Sequence, residues 1–288
     1  MSSAPKVSVL MITYNQEKYV AQAIDSILAQ QADFPYELVI GEDCSTDGTH
    51  AICQAYQQQY PGIVRLLVRE KNLGMAANFF STFAECTGEY LAILEGDDFW
   101  PDPFKLQKQV DYLDANPGHA LVFARTEAFF QDLDRPGYEI PPPDAEPFTL
   151  DNLLKVNYIA TCSVMYRREL VTDLPLWLTR LDMIDWPLHI LYAQRGAIGF
   201  INETMAKYRL HPGGSFSSRR VADNHRSTLD FYQLIRPYLG PEHRKAIFRS
   251  QARTCKALGR LSWAERNWSG TIRYALLALL YYIRRMTW

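Results

Sequence analysis

The sequence lacks a strong charge of either sign: thirty Lys and Arg against thirty-two Asp and Glu leave a formal net charge of −2 over 288 residues. That balance excludes a chain that coats nucleic acid through general polycationic attraction, though not one with a local basic patch. Cysteine is sparse. Its five positions, Cys44, Cys53, Cys86, Cys162 and Cys255, are widely spaced and odd in number, which excludes a dense disulfide framework or a zinc knuckle and points to reduced thiols. The first apolar run, Val7 to Ile12, is too short for a secretion signal and ends in Thr13, Tyr14 and Asn15, so a cytoplasmic protein is expected. There is no Gly-rich turn after that run and no Gly-rich loop ending in Lys-Ser/Thr, so hydride transfer on a dinucleotide and nucleoside triphosphate hydrolysis lose their usual anchors. A hydrophobic fraction of 48% is ample for one large core.

What is present is alternation. Val7 to Ile12 reads as a strand, and Glu17 to Gln30 places Val20, Ile24, Ile27 and Leu28 on one helical face. Tyr36 to Ile40 repeats the strand signal, and Asp47-Gly48-Thr49 opens a helix that Pro61-Gly62 stops. Ile63 to Val68 makes a third strand, Asn72 to Ala84 a third helix, and Tyr90 to Leu94 a fourth strand. This order predicts an α/β fold of three layers about a mainly parallel central sheet. Beyond it a helix runs from Trp100 towards Asn116, Leu121-Val122-Phe123 resumes a strand, residues 132–147 form a proline- and acid-rich surface loop, and Val164 to Arg168 is a further strand.

In open sheets of this kind ligands bind beyond the carboxyl ends of the strands. Those ends carry Thr13-Tyr14-Asn15, Glu42-Asp43 and Asp97-Asp98, residue types that also make ordinary capping and Asx turns. The densest signal is Leu94-Glu95-Gly96-Asp97-Asp98-Phe99-Trp100, with three carboxylates in four positions. Like charges that close raise one another's proton affinity unless a cation or donors compensate them. Mg2+ or Mn2+ suits such hard oxygen ligands and also holds a diphosphate. A helix-capping turn before Pro101 is the alternative. A sugar nucleotide, its diphosphate neutralised by metal in place of a glycine loop, fits the pattern best.

Taken together, Val9-Leu10-Met11-Ile12-Thr13-Tyr14-Asn15, Gly41 to Thr49, Asn72-Leu73-Gly74 with Asn78, and Gly88-Glu89-Tyr90 running into Glu95-Gly96-Asp97-Asp98 resemble a family 2 glycosyltransferase with the GT-A fold. The resemblance spans residues 1–215, the expected catalytic domain. It implies an inverting transfer of a sugar from a nucleoside diphosphate donor, preferably UDP-linked, to a hydroxyl of a glycan or lipid-linked glycan in envelope polysaccharide synthesis, with Mg2+ or Mn2+. Carried over by position, Thr13, Tyr14, Asn15, Glu42 and Asp43 line the nucleoside pocket, Asp43 accepting a hydrogen bond from the base, while Asn72 and Asn78 order the adjacent loop. Glu95, where the family more often has Asp, and Gly96 face the donor, and Asp97 binds metal. Asp185 is the implied general base, with Asp182 as rival; by chemistry alone an Asp at a helix start also caps free N–H groups. Tyr208-Arg209 and His211 resemble a flexible cover, Arg209 pairing with phosphate and His211 ligating the metal or touching the diphosphate. Asp98, Trp100, Thr161, Ser163 and Trp186 are the candidate acceptor contacts, although Thr161 and Ser163 read equally as a satisfied turn.

Residues 216–288 are expected to form a basic helical extension. From His243 to Trp288 the chain carries ten Lys or Arg and a single acid, Glu265. Ile247, Ala252, Cys255, Leu258 and Leu261 fall on one helical face, and Ile272 to Ile283 is almost continuously apolar yet shorter than the roughly 20 residues that span a bilayer. Peripheral attachment to the anionic inner face of the cell membrane is expected, with a helical lid or a dimer interface as the alternative. Oligomeric state is not legible. Two rival functions share the features: a metal-dependent sugar nucleotidyltransferase, which would release diphosphate from a nucleoside triphosphate, and a carbohydrate-binding protein without turnover, which needs neither base nor phosphate cover.

Overall fold

The computed structural model describes residues 4–142, 147–214 and 219–286. The expected boundary at Ser215, Pro143 of the triple-proline run and Trp288 lie outside the described residues. Strands and helices alternate through β1 (Val7–Thr13), α1 (Val20–Leu28), β2 (Tyr36–Glu42), α2 (Thr49–Gln59), β3 (Val64–Val68), α3 (Met75–Glu85), β4 (Tyr90–Ile93) and α4 (Lys105–Ala115). Then follow β5 (His119–Phe130), β6 (Tyr138–Ile140), α5 (Leu150–Leu153), β7 (Met165–Arg167), α6 (Asp185–Ala193), β8 (Ala197–Leu210), α7 (Val221–Ile235), α8 (Arg244–Ala264) and α9 (Trp268–Met286).

The chain divides into two compact units. The first comprises Met1–Phe148, Tyr158–Pro175 and Leu191–Leu210 and holds the whole sheet, in the order β3-β2-β1-β4-β7-β5-β6 with β8 on β5. β1 runs parallel to β2 and β4, β2 to β3, and β5 to β8, whereas β7 is antiparallel to β4 and β5, and β6 to β5. This is the expected α/β architecture with a largely parallel centre. Strands covered on both faces read as nearly continuous apolar runs, and β1 is buried from Val7 through Met11 with Ser8 its one polar residue there. α1 closes on it with Val20, Ala23, Ile24 and Ile27, the i, i+3, i+4, i+7 stripe of an amphipathic helix. Strand order reverses between β1 and β4, which places a crevice at the carboxyl ends of β1, β2 and β4.

Three elements differ from expectation. The strand at Leu121 extends from His119 to Phe130. The loop over 132–147 contains β6, an exposed edge strand paired with Thr126–Ala128. β8, fourteen residues long, was not expected at all: its pairing with β5 shifts register at Arg125, and bulges of that kind break the two-residue alternation by which strands are read.

The second unit, Thr149–Asn157, Leu176–Ile190 and His211–Trp288, is helical. Trp186 packs on Phe231 and Tyr232 at 5.0 and 5.7 Å between ring centroids, and its indole N–H donates to the Leu153 carbonyl at 2.8 Å. α8 and α9 form a hairpin whose core is Phe248, Ala252, Cys255 and Leu258 against Ala278 and Tyr281, with Leu229 of α7. No helix among the described residues is long and apolar enough to cross a membrane. All five cysteines carry unpaired thiols.

Candidate active site

The loops after β1 and β2 are tied together residue by residue. Asn15, in the left-handed region at φ 53°, donates its backbone N–H to Ser45 Oγ at 3.0 Å and accepts from the Thr46 N–H at 2.8 Å. Glu42 is buried; its Oε1 accepts from the Ser45 N–H at 2.7 Å and its Oε2 lies 3.2 Å from His50 Nδ1. Asp43, also buried, accepts from the backbone N–H groups of Leu73 at 2.8 Å and Gly74 at 2.9 Å, one on each carboxylate oxygen. Asn72 closes the same knot by donating to the Asp43 carbonyl at 3.1 Å. Asn78 donates to the Gly41 carbonyl at 2.7 Å and accepts from Arg69 Nε at 3.2 Å. Thr13 is buried and Tyr14 exposed at this edge.

The acidic turn leaves β4 against the β1 loop. Gly96 donates to the Ile12 carbonyl at 3.3 Å, and a Cβ there would lie 2.5 Å from Gln16 Oε1 and 2.8 Å from Thr13 Oγ1, so no side chain fits without displacement. Asp98 is buried and accepts from the Arg209 backbone N–H at 2.8 Å. Burial first, then the Asp97 and Glu95 charges, raise the Asp98 carboxyl well above the usual carboxylate range, against the opposing pull of the Arg209 N–H and the Cys162 thiol.

Arg209 sits in β8, a strand held by β5, where a flexible cover was expected. Its Nε donates to the Asp97 carbonyl at 2.7 Å, one terminal nitrogen to Gln22 Oε1 at 2.6 Å, and the other to Gln131 Oε1. Tyr19, Phe129 and Phe99 surround the guanidinium at 4.7, 5.0 and 5.5 Å from its carbon to the ring centroids. These bonds engage three of its five N–H groups, and through them Arg209 fastens the acidic turn. Gln16, Gln22, Gln131 and the three rings are positioning residues that sequence reasoning missed. No spacing signal joins them, since Gln22 and Arg209 stand 187 residues apart.

Trp100 follows the turn into the core, its indole N–H donating to the Cys162 carbonyl at 2.7 Å and its ring lying 4.1 Å from the buried Lys105 ammonium. Ser163 is buried and its hydroxyl returns to the Ala160 carbonyl at 2.8 Å, closing a 3₁₀ turn, while Thr161 beside it is half-buried. Both indoles considered for acceptor contact, Trp100 here and Trp186 in the second unit, have their N–H groups engaged by backbone carbonyls.

Within the second unit, Asp185 opens α6, half-buried, and accepts from Asn157 Nδ2 at 2.8 Å. Asp182 accepts from Ser227 Oγ at 2.8 Å and pairs with Arg219 at 2.9 Å; the Ser227 hydrogen bond and then Arg219 hold its carboxyl below the usual range. His211 follows β8 and accepts at its carbonyl from the Gly214 N–H at 3.1 Å.

Residues 8–174 match the family described as Glycosyl transferase family 2. The chain belongs to that family. This family 2 chain is 41% identical over 214 residues to an uncharacterized protein of Mycobacterium tuberculosis, Rv1520, covering 74% of its own length but 61% of the relative's, so it spans about three-fifths of that protein. It is 33% identical to TuaG of Bacillus subtilis, a protein named for glycosyl transfer in teichuronic acid biosynthesis, over 72% of this chain and 79% of that one. Two solved structures share the fold. The Pyrobaculum calidifontis mannosyltransferase PcManGT, in complex with GDP-Man and Mn2+, has a TM-score of 0.61 at 18% identity over 97% of this chain and 87% of that one. TarS of S. aureus in complex with UDP-GlcNAc has a TM-score of 0.60 at 16% identity over 97% and 92%.

The acidic turn of this family 2 chain carries oxygen donors of the type a divalent cation takes. Burial, and behind it the Asp97 and Glu95 charges, raises the proton affinity of Asp98; a cation would relieve the charge part, and carboxylate oxygens are the hard donors that Mg2+ and Mn2+ prefer. Among the described residues no three His, Cys, Asp or Glu side chains are grouped to hold a metal ion. Mg2+ sites that serve diphosphates use one or two carboxylates and complete the shell with phosphate oxygens and water.

Proposed function

We propose that this chain is an inverting glycosyltransferase that moves a sugar from a nucleoside diphosphate donor, UDP-linked by preference, to a hydroxyl of a glycan or lipid-linked glycan in envelope polysaccharide synthesis. The observation that carries the reading is the meeting of the β1, β2 and β4 loops at the switch point of the sheet, with the acidic turn fastened there by Arg209. The naming of TuaG for teichuronic acid and the sugar nucleotides bound to TarS and PcManGT support the same substrate classes. The catalytic part is residues 1–215, and residues 216–288 attach the enzyme peripherally to the cytoplasmic face of the membrane.

Thr13, Tyr14, Asn15, Glu42 and Asp43 take the nucleoside. Asp43 meets the base edge with lone pairs left over from the Leu73 and Gly74 N–H groups, since a carboxylate has about four acceptor positions. Asp97 holds Mg2+ or Mn2+, with His211 a second candidate ligand by resemblance, and the bound cation supplies positive charge to the diphosphate. Glu95 and Gly96 shape the wall towards the donor sugar, and Asn72 keeps the Asp43 loop closed. Asp185 accepts the proton of the acceptor hydroxyl as its oxygen bonds to the anomeric carbon and the bond from that carbon to the diphosphate breaks, releasing the nucleoside diphosphate. Ser227 and Arg219 lower the proton affinity of Asp182, which weakens it for that role. Thr161, half-buried, is an acceptor-side contact.

Mass spectrometry of incubations with UDP- and GDP-sugars tests this, run with and without Mn2+ and beside nucleoside triphosphates plus sugar 1-phosphates. Release of a nucleoside diphosphate from a sugar nucleotide, dependent on the cation and lost in Asp97→Ala, is the expected result. Release of diphosphate from a triphosphate would replace the reading with nucleotidyl transfer, and binding without turnover would replace it with a carbohydrate-binding role.

A further inference from the structure

The α8–α9 hairpin leaves an apolar surface that its own packing does not use. On α9 the residues turned to α8 and α7 are Tyr274, Leu277, Ala278 and Tyr281. At 100° per residue, Trp268, Ile272, Leu276, Leu279, Ile283 and Met286 project from the opposite side, and each is between 49% and 72% exposed. A helix apolar on two opposite faces has a second apolar environment to enter. Trp263, at the end of α8, extends the stripe around the hairpin tip, its ring 4.7 Å from that of Trp268 and also exposed.

Charge decides what that environment is. The hairpin carries Arg244, Lys245, Arg249, Arg253, Lys256, Arg260, Arg266, Arg273, Arg284 and Arg285 beside a single acid, Glu265. Arg273 and Arg284 are exposed beside the stripe. Arg284 also shares an open hollow with Arg180 and Arg236, where Asp230 is the one acid on the wall. A second copy of this chain would bring like charge to like charge, whereas an anionic bilayer offers phosphates to the arginines and acyl chains to the stripe. The 19 residues of α9 lack the sustained apolar length of a spanning helix and have the two-faced character of one that lies in the interface.

We propose that the Trp268–Ile272–Leu276–Leu279–Ile283–Met286 face of α9 inserts at the headgroup–acyl boundary of an anionic membrane, with Arg273 and Arg284 at headgroup level. The proposal deepens the peripheral-membrane part of the function above and rests on it only for purpose, by bringing the enzyme to a lipid-linked acceptor. Its test uses no donor, so it stands or falls separately from sugar transfer. Flotation of the full chain with phosphatidylcholine vesicles, with and without phosphatidylglycerol, should show binding that rises with the anionic lipid and falls with added salt. The variant Ile272→Ser/Leu276→Ser/Leu279→Ser/Ile283→Ser changes exposed positions only, should keep the wild-type thermal melt, and should lose at least about tenfold in vesicle partitioning. Arg273→Gln/Arg284→Gln should lose the preference for anionic vesicles. Equal partitioning by wild type and the four-serine variant would overturn the proposal. So would a lipid-free dimer that the serines dissolve, which would make a second copy the occupant of the face.

Discussion

The backbone N–H of Arg209 donates to Oδ1 of Asp98 at 2.8 Å, joining residues 111 positions apart and fixing the end of β8 to the acidic turn after β4. The Arg209 side chain reinforces the link at the Asp97 carbonyl and is itself held by Gln22, Gln131 and three aromatic rings. The backbone carrying the proposed cation ligand is thus set by a guanidinium that need not touch substrate.

Arg209→Lys therefore should not behave conservatively. One ammonium cannot reach the Asp97 carbonyl, Gln22 and Gln131 from the directions a planar fork covers. Loosening of the turn is expected to lower kcat about ten- to hundredfold, with a stability loss of about 1–3 kcal/mol from unmatched buried acceptors. Steady-state kinetics beside urea unfolding checks both; a lysine enzyme with unchanged kcat would remove the positioning role.

Asp43→Asn tests the loop knot. Both Asp43 oxygens accept backbone N–H groups, from Leu73 and Gly74, so the amide nitrogen of Asn would face a donor. Faster hydrogen exchange at the Leu73 and Gly74 amides is expected, with UDP affinity reduced about tenfold by calorimetry. Unaltered exchange at those two amides would show that the knot does not depend on the carboxylate.

Much of this frame was legible because its causes are local. Val7 to Met11 is buried at every position and apolar at all but Ser8, since helices cover both faces of β1, and α1 shows its stripe because only one side is buried. The acidic turn was legible from carboxylate density alone. β8 was hidden by bulges, and β6 by the exposure of an edge strand. The cage around Arg209 was hidden for a different reason: Tyr19, Gln22, Phe99, Phe129 and Gln131 come from separate elements, and nothing in their spacing marks a common target. Trp100 beside an acidic turn was a candidate acceptor contact, and its ring lies over a buried lysine in the core, a packing partner that no sequence spacing signals.

Asp185 and Asp182 should separate cleanly. Asp182 has Ser227 and Arg219 to hold it ionised, and the Asp185 carboxylate accepts from the Asn157 amide. Asp185→Asn should lower transfer about 10²- to 10⁴-fold while leaving UDP binding intact. Asp182→Asn should keep transfer within a few-fold and lose at most about 1 kcal/mol of stability, since its carboxylate is exposed. Greater loss of transfer in the Asp182 variant would reverse the assignment.

Lys105 gives the stability of the first unit a definite pH dependence. Its ammonium is buried, donates to Gln109 Oε1 at 2.6 Å and lies over the Trp100 ring; burial pulls its pKa from the ordinary 10.5 to about 7, against the opposing influence of Cys162 and Asp102. Between these two values the unfolded chain binds a proton that the folded chain does not, so this group makes stability rise with pH from about 7 towards 10.5 and imposes its full burial cost below 7. Lys105→Met removes the titration but leaves the Gln109 acceptor without its donor, at about 1–3 kcal/mol. The methionine protein should therefore be less stable than wild type at about pH 9.5, and its disadvantage should shrink by about 2 kcal/mol or more at about pH 6.5. Urea unfolding of both proteins at the two pH values measures this difference, in which the buried tyrosines and cysteines common to both cancel. A gap that stays constant with pH would mean that Lys105 remains charged in the folded chain, with the Trp100 face and Gln109 sufficient to hold a buried ammonium behind the acidic turn.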